Sequence, residues 1–230
     1  MRVSGIEIDA ILFDFDNTLV DRDMAVRRLG AKFYEHLNLS SDVLGIERFV
    51  EEFSRIDRSG TVPDKKEQMA SVMDSLELTG DGASELESWW NSEYPKSFVI
   101  DSDSSELLQQ LTENEIPWGI VSNGSPLQMD GVRAVGLDRM ARTTVISSLI
   151  NIRKPDMAIF ELARMQTDAT TPAERFMFVG DNPVADVRGA NGAGMKTAWV
   201  SRSSEWELVD CHPDISITTV GDLRALIETG

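Results

Sequence analysis

Two acidic side chains, Asp14 and Asp16, stand two residues apart and directly follow the apolar run Ala10–Phe13. In an extended chain this spacing places both carboxylates on the same side. A carboxylate can attack phosphorus and form an acyl-phosphate, which divides one difficult displacement into two easier steps. The second acid can protonate the leaving oxygen and then take a proton from the hydrolytic water. The pair therefore indicates phosphoryl-transfer chemistry.

Polar residues that suit a phosphate group follow two other apolar runs. Ser122 closes one run and precedes Asn123 and Gly124, and Lys154 follows another. The Ser122 hydroxyl can donate to a phosphoryl oxygen, and the backbone amides of Asn123 and Gly124 can hold phosphate at a helix start. Lys154 would neutralise charge on the nucleophile and on the transferring group. We predict that these four residues bind phosphate and that Ser122 and Lys154 are also catalytic.

Two more carboxylates, Asp181 and Asp186, follow the apolar run 176–179. Held close to Asp14 and Asp16, they would repel one another strongly unless a cation lay between them. Oxygen ligands without histidine or cysteine suit Mg²⁺, which commonly binds one or two carboxylates, waters and a substrate phosphate. These four aspartates are therefore the predicted magnesium ligands.

Strands and helices alternate from residue 98 onward, and this order predicts a doubly wound parallel sheet. Sites in such sheets form beyond the carboxyl ends of the strands, which is where the residues above are found. The short apolar run Ala10–Phe13 has the pattern of a buried strand of the same sheet. The predicted strands are 10–13, 116–121, 144–146, 176–179 and 196–200.

Residues 21–96 have a different pattern, with apolar side chains at helical spacing and no strand signal. They therefore represent an insertion that divides the sheet domain in sequence. We predict a discontinuous catalytic core of residues 1–20 and 97–230 and a helical domain of residues 21–96. The predicted helices of the insertion are 24–37, 43–56, 65–76 and 83–93.

Four segments, taken in order, resemble the four motifs of the haloacid dehalogenase superfamily. They are 11–20 (ILFDFDNTLV), 120–124 (IVSNG), Lys154-Pro155 and 180–186 (GDNPVAD). Together they span nearly the whole core, and the insertion after the first motif resembles the α-helical cap of the superfamily's first subgroup. The resemblance implies an α/β fold with a three-layer, Rossmann-like parallel sheet core and an inserted all-helical cap.

The resemblance also implies a role for each matched acid. Asp14 would be the nucleophile and Asp16 the acid/base, while magnesium would bind the Asp14 side chain, the Asp16 carbonyl and Asp181. Asp186 would bind the metal directly, bind it through water or orient its neighbours. Dehalogenases of the superfamily lack an acid at the position of Asp16, so its presence favours phosphate chemistry.

The expected activity is that of a magnesium-dependent phosphatase that hydrolyses small soluble phosphomonoesters through an aspartyl-phosphate. A phosphomutase of sugar phosphates would use the same core residues, so only the cap could distinguish it. A non-catalytic phosphoacceptor is the alternative of another class, although signalling receiver domains are shorter and lack a helical insertion. Arg58 and Lys65 of a basic cap loop are candidate substrate contacts, and a purely solvated loop is equally compatible.

The composition narrows the range of partners. The 230 residues carry a net charge of −17, from 39 acidic and 22 basic side chains, and such a surface repels nucleic acid and anionic lipid. No apolar run approaches the roughly 20 residues needed to span a bilayer, and the first residues lack a secretion-signal pattern. The single cysteine, Cys211, excludes an internal disulfide. We expect a cytoplasmic monomer or homodimer that binds a small phosphorylated metabolite.

Overall fold

The computed structural model describes residues 1–37, 45–58, 65–75, 82–202 and 204–228. The Cα positions divide the chain into two units. The first unit comprises Met1–Asp21 together with Val99–Gly230, and the second unit is Arg22–Phe98. The first unit is discontinuous in sequence, because it consists of two separate stretches of the chain. The boundaries predicted from the sequence lie after residues 20 and 96.

The first unit contains two β-sheets. Its strands are β1 (Arg2–Val3), β2 (Ile6–Glu7), β3 (Ala10–Phe13), β4 (Trp118–Ser122), β5 (Thr143–Ile146), β6 (Phe176–Gly180), β7 (Lys196–Val200), β8 (Ile215–Ile217) and β9 (Ile227–Glu228). Six of them form a wholly parallel sheet in the order β5-β4-β3-β6-β7-β8. The other three form a small antiparallel sheet in the order β2-β1-β9. The parallel sheet confirms the predicted α/β fold class.

Helices occur in both units. The second unit contains α1 (Arg22–His36), α2 (Ile46–Arg58), α3 (Lys65–Ser75) and α4 (Gly82–Glu93). The first unit contains α5 (Ser102–Glu113), α6 (Leu127–Ala134), α7 (Ser147–Ile150), α8 (Met157–Asp168), α9 (Gly189–Gly192) and α10 (Leu223–Leu226). None of the helices in the described residues is both long enough and apolar enough to cross a membrane.

The parallel sheet is covered by helices on both faces. On one face, Leu12 of β3 belongs to the same buried cluster as Phe160 of α8. Alternate strand residues point to opposite faces, so Phe13 faces the other side, where its ring packs edge-on against Trp118 at 6.1 Å. Trp118 Nε1 donates to Thr112 Oγ1 of α5 at 3.0 Å, which ties that helix to the second face. These contacts confirm the three-layer core.

The central strand β3 lies between β4 and β6, and its register brings three carboxyl ends together. Phe13, the last residue of β3, pairs with Ile120 of β4 and with Val179 of β6. The Asp14 amide then donates to the Val179 carbonyl at 2.8 Å. Residues that follow β3, β4 and β6 therefore meet at one edge of the sheet, as expected for a parallel α/β fold.

The second unit has an aromatic core. Phe33, Phe49, Phe53 and Trp90 are each at most 1% exposed. The Phe53 ring centroid lies 6.0 Å from that of Phe49 and 5.7 Å from that of Trp90. A Cβ at Gly30 of α1 would lie only 3.1 Å from Phe53 Cδ1, so the glycine permits a close approach of α1 and α2. The described part of this unit consists of helices, as predicted for the insertion.

Some elements of the first unit were not predicted. The antiparallel sheet and β8 consist of strands of two or three residues, which are too short to show an alternating pattern. The strand predicted at 116–121 begins at Trp118 and ends at Ser122. The residue before it is Pro117, which cannot donate a ladder hydrogen bond and suits the position just outside the strand.

Candidate active site

The carboxyl edge of the parallel sheet forms a cavity of about 280 Å³ within the first unit. Of the residues predicted for the core site, all except Gly124 line this cavity. The predicted residues that line it are Asp14, Asp16, Ser122, Asn123, Lys154, Asp181 and Asp186. The unpredicted ones are Asn17, Arg153, Asn182 and Ala185.

Lys154 lies at the centre of the buried charges. Its Nζ is 2.6 Å from Asp14 Oδ1 and 2.6 Å from Asp186 Oδ1, and it donates to the Val121 carbonyl at 2.9 Å. Three protein oxygens therefore match the three ammonium protons. Burial lowers the pKa of Lys154, but the charges of Asp14 and Asp186 outweigh burial and raise the pKa above its usual range. Lys154 is thus a permanent positive charge.

Three carboxylates meet beside this lysine. One oxygen from each of Asp14, Asp181 and Asp186 lies within 4.8 Å of the others. Burial raises the pKa of Asp14, an effect that Lys154 opposes. Burial and the nearby charge of Asp186 raise the pKa of Asp181 to about 7. An oxygen-only donor set in which burial disfavours the ionised forms of Asp14 and Asp181 fits a hard divalent cation such as Mg²⁺.

A tight turn positions Asp186. Asn182 caps the π-helical segment Pro183–Arg188, and its Oδ1 accepts from the amides of Val184 at 3.0 Å and Ala185 at 2.8 Å. The backbone amide of Asn182 in turn donates to Asp186 Oδ2 at 2.9 Å. A Cβ at Gly180 would lie 2.4 Å from the same oxygen, so a glycine is needed at the end of β6.

Trp199 supports Asp181 from the neighbouring strand. Its Nε1 donates to the Asp181 carbonyl at 2.8 Å. The Trp199 ring also packs edge-on against Trp206, with the centroids 5.0 Å apart. The sequence presents Trp199 as one more apolar residue of β7, so nothing in the pattern distinguishes it from an ordinary core residue.

Asn123 acts on the backbone of Lys154. Its Nδ2 donates to the Lys154 carbonyl at 2.9 Å, and its Oδ1 accepts from the Lys154 amide at 2.8 Å. This pair of hydrogen bonds fixes the segment that carries the lysine. The predicted phosphate contact of Asn123 was through its backbone amide, and that contact stays a prediction.

Asp16 lies outside the cluster of three carboxylates and contacts an unpredicted residue, Gln128. The Gln128 amide nitrogen donates to Asp16 Oδ2, and Gln128 Oε1 accepts from Ser122 Oγ at 2.7 Å. Gln128 therefore joins the predicted acid/base to the predicted phosphate ligand. Gly124 packs against this glutamine, because a Cβ at position 124 would lie 1.6 Å from Gln128 Oε1. The magnesium contact predicted for Asp16, through its carbonyl, stays a prediction.

Three further cationic residues, Arg153, Arg58 and Lys65, are candidates for substrate contact. Arg153 was not predicted, but it is exposed and lines the cavity beside Lys154. Arg58 is the last residue of α2 and Lys65 is the first residue of α3. The side chains of Arg58 and Lys65, and residues 59–64 between them, lie outside the described residues, so both substrate contacts stay predictions.

Comparison with known proteins extends over most of the chain. The family described as haloacid dehalogenase-like hydrolase matches residues 8–194. Phosphoserine phosphatase of Thermus thermophilus is 34% identical over 130 residues, which are 56% of this chain and 50% of that protein. Ribulose-1,5-bisphosphate 5-phosphatase of Halopiger xanaduensis is 26% identical over 239 residues, covering 95% of this chain and 98% of that protein. The chain thus spans half of the first relative and nearly all of the second.

Among solved structures, the HAD-hydrolase YfnB from Bacillus subtilis superposes with a TM-score of 0.72 at 20% identity. The superposition covers 97% of this chain and 100% of that chain. This similarity supports a common fold for the two proteins.

Proposed function

The chain belongs to the haloacid dehalogenase-like hydrolases, and on that premise we propose that it is a magnesium-dependent phosphatase of small phosphomonoesters. The observation that carries the proposal is the cluster of Asp14, Asp181 and Asp186, two of which pair with the buried Lys154, with a further acid, Asp16, in the same cavity. A hydrolase that replaced a halogen would have no leaving oxygen for Asp16 to protonate. Both relatives compared above are phosphatases by name.

Asp14 is the proposed nucleophile. Attack on phosphorus requires the ionised carboxylate, which burial disfavours and the ammonium group of Lys154 at 2.6 Å favours. Lys154 also fixes Asp14 Oδ1 and leaves the other oxygen for attack. The product of this step is an aspartyl-phosphate on Asp14 and a free leaving oxygen.

Asp16 is the proposed acid/base. In the first step its carboxyl group would give a proton to the leaving oxygen, and in the second its carboxylate would take a proton from the water that hydrolyses the aspartyl-phosphate. This role requires a side chain that reaches the cavity without belonging to the metal ligands. Asp16 meets both conditions, since it lines the cavity and lies outside the three-carboxylate cluster.

The phosphate group would be held by Ser122 and by the backbone amides of Asn123 and Gly124. The protons of Lys154 already meet Asp14, Asp186 and the Val121 carbonyl, so this lysine acts through its charge. Fixed positive charge beside a transferring phosphoryl group stabilises the transition state.

Magnesium, when bound, supplies Lewis acidity and offsets the repulsion between the phosphate and the carboxylates. Asp14, Asp181 and Asp186 would hold it together with the Asp16 carbonyl. In the metal-free protein burial raises the pKa of Asp14 and of Asp181, so these two carboxyl groups resist ionisation.

The proposed substrates are small soluble phosphomonoesters such as sugar phosphates, nucleotides or phosphorylated acids. The net charge of −17 disfavours nucleic acid and anionic membranes as partners. A cytoplasmic location and a monomer or homodimer complete the proposal.

Phosphate release from a panel of phosphorylated metabolites, with magnesium and with EDTA, tests the proposal. Wild type should release phosphate only with magnesium, and Asp14→Asn should abolish release because an amide cannot form the acyl-phosphate. Substantial magnesium-dependent turnover by Asp14→Asn would overturn the assignment. Chloride release from 2-chloropropionate would indicate a dehalogenase, and a sugar-phosphate isomer without free phosphate would indicate a mutase.

A further inference from the structure

Gln128 lies on the first turns of α6 and is almost completely buried, at 3% exposure. A buried side-chain amide is costly unless both of its ends are hydrogen-bonded. Both ends are satisfied at this site, with Ser122 Oγ as donor and Asp16 Oδ2 as acceptor. The partners of Gln128 are therefore two residues of the proposed catalytic machinery.

The chemistry of the amide suits these two partners. Its carbonyl accepts one hydrogen bond while its NH₂ group donates another, and the two groups are held at a fixed separation. An ionised glutamate at position 128 would offer acceptors only and would place a second carboxylate beside Asp16. A leucine would fill a similar volume without either hydrogen bond. Only an amide of this length satisfies both partners at once.

The surrounding backbone leaves room for the glutamine. A Cβ at Gly124 would lie 1.6 Å from Gln128 Oε1 and 2.8 Å from Gln128 Nε2. Any side chain at position 124 would therefore displace the Gln128 amide from its place. The glycine that ends the Ser122-Asn123-Gly124 segment thus makes space for Gln128.

We infer that Gln128 is a positioning residue, which holds the Asp16 carboxyl group in reach of the leaving oxygen and in register with Ser122. The inference rests on the proposed phosphatase function. Proton transfer depends on a donor held within hydrogen-bond distance of its target. Without Gln128, the Asp16 side chain would lose the donor that holds its Oδ2, although its position in the backbone would be unchanged.

The test compares substrates that differ in their need for an acid. An alkyl phosphate requires protonation of its leaving oxygen, whereas p-nitrophenyl phosphate releases a stable anion. The measured quantity is kcat/KM, because it excludes hydrolysis of the aspartyl-phosphate, a later step common to both substrates. Gln128→Leu should lower kcat/KM about 10- to 100-fold for the alkyl phosphate, and no more than about threefold for p-nitrophenyl phosphate.

Four further variants make the comparison specific. Asp16→Asn should show the same preference for the aryl substrate. Ser122→Ala should lower kcat/KM by the same factor for both substrates. Gln110→Leu is the same substitution at an exposed position of α5 and should leave kcat/KM unchanged for both substrates. Gln128→Glu preserves the side-chain shape and provides the same test if the leucine variant does not fold, with an expected selective loss for the alkyl phosphate.

The possible outcomes distinguish a failure of the proposed role of Gln128 from a failure of the proposed phosphatase function. If the Gln128 variants lost kcat/KM equally for both substrates, or for neither, the role of Gln128 would be overturned. The phosphatase proposal would stay in place. A wild-type protein that released phosphate from no ester would overturn both. A selective loss for the alkyl phosphate in a folded Gln128 variant would support the inference.

Discussion

At the scale of single residues, the site is a balance between one buried ammonium group and several buried or half-buried carboxylates. Lys154 offsets part of the negative charge, but three carboxylates surround one lysine. Burial, together with repulsion from the neighbouring carboxylates, favours protonation of Asp14 and Asp181. A divalent cation bound to these carboxylates would therefore offset the negative charge that Lys154 leaves uncompensated.

This balance predicts an unusual pH dependence for the metal-free protein. Folded Asp181 keeps its proton up to a pKa of about 7, whereas an unfolded aspartate loses it near 3.8. The folded state thus binds more protons between these values, so stability falls as pH rises through that window. In EDTA, the Tm should be lower at pH 8 than at pH 5.5, and the fall should be smaller in Asp181→Asn.

The exposed substitution Asp138→Asn is the matched control for this measurement and should leave the fall in Tm unchanged. Saturating magnesium should remove the fall, because the metal binds only the ionised carboxylates. An identical fall in wild type and in Asp181→Asn would show that Asp181 does not titrate in this range.

Gln128 shows why some residues of the site escaped prediction. Asp14 and Asp16 were recognisable because two acids follow an apolar run directly in the sequence. Gln128 is six residues beyond Ser122, and its contact with Asp16 depends on where β4 ends and how α6 begins. A polar residue on a short helix is ordinarily solvated, so its burial becomes apparent only in three dimensions.

At the scale of elements, the site depends on the ends of three neighbouring strands. The registers of β3 with β4 and β6 decide that Asp14, Ser122 and Asp181 face one cavity. The sequence predicted these strand ends because each is a buried apolar run that stops at a polar residue. It did not predict β8 or the antiparallel sheet, whose strands of two or three residues are too short to show a pattern.

The neighbouring strand β7 should influence the metal through Trp199. Trp199→Phe preserves a ring that can pack on Trp206 but removes the donor to the Asp181 carbonyl. Loss of such a supporting hydrogen bond commonly weakens metal binding about 10- to 100-fold. We expect magnesium affinity, measured by calorimetry, to fall by about tenfold.

Trp206→Phe is the matched control, because Trp206 Nε1 donates to the carbonyls of Leu208 at 2.8 Å and Cys211 at 3.0 Å, whereas Trp199 Nε1 donates to the carbonyl of Asp181. It should change the magnesium affinity little. An unchanged affinity in Trp199→Phe would show that the carbonyl hydrogen bond does not orient the metal ligand.

At the scale of the whole molecule, the net charge of −17 opposes the approach of every phosphorylated substrate. Within the described part of the cavity lining, Arg153 is an exposed cation that acts against this repulsion. Long-range repulsion is screened by salt, whereas contacts inside the cavity are screened much less. The acidic composition thus affects the rate of encounter more than the chemistry.

Raising the KCl concentration from about 0.01 M to about 0.15 M shortens the Debye length from about 30 Å to about 8 Å. We therefore expect kcat/KM for a phosphomonoester to rise a few-fold over this range at constant magnesium, with kcat nearly unchanged. The same rise with choline chloride would exclude a specific effect of potassium. A fall in kcat/KM would show that local positive charge, and not the net charge, controls encounter.

The order of the strands also has a consequence for biosynthesis. The nucleophile-bearing strand β3 pairs Ala10 with Phe176 of β6, and the whole of Arg22–Phe98 is translated between β3 and its first partner, β4. On the ribosome, the helical unit can form its aromatic core while β3 still has no neighbouring strand. β3 must therefore remain without a neighbouring strand until about half of the chain has been translated, which exposes it to aggregation and to chaperones.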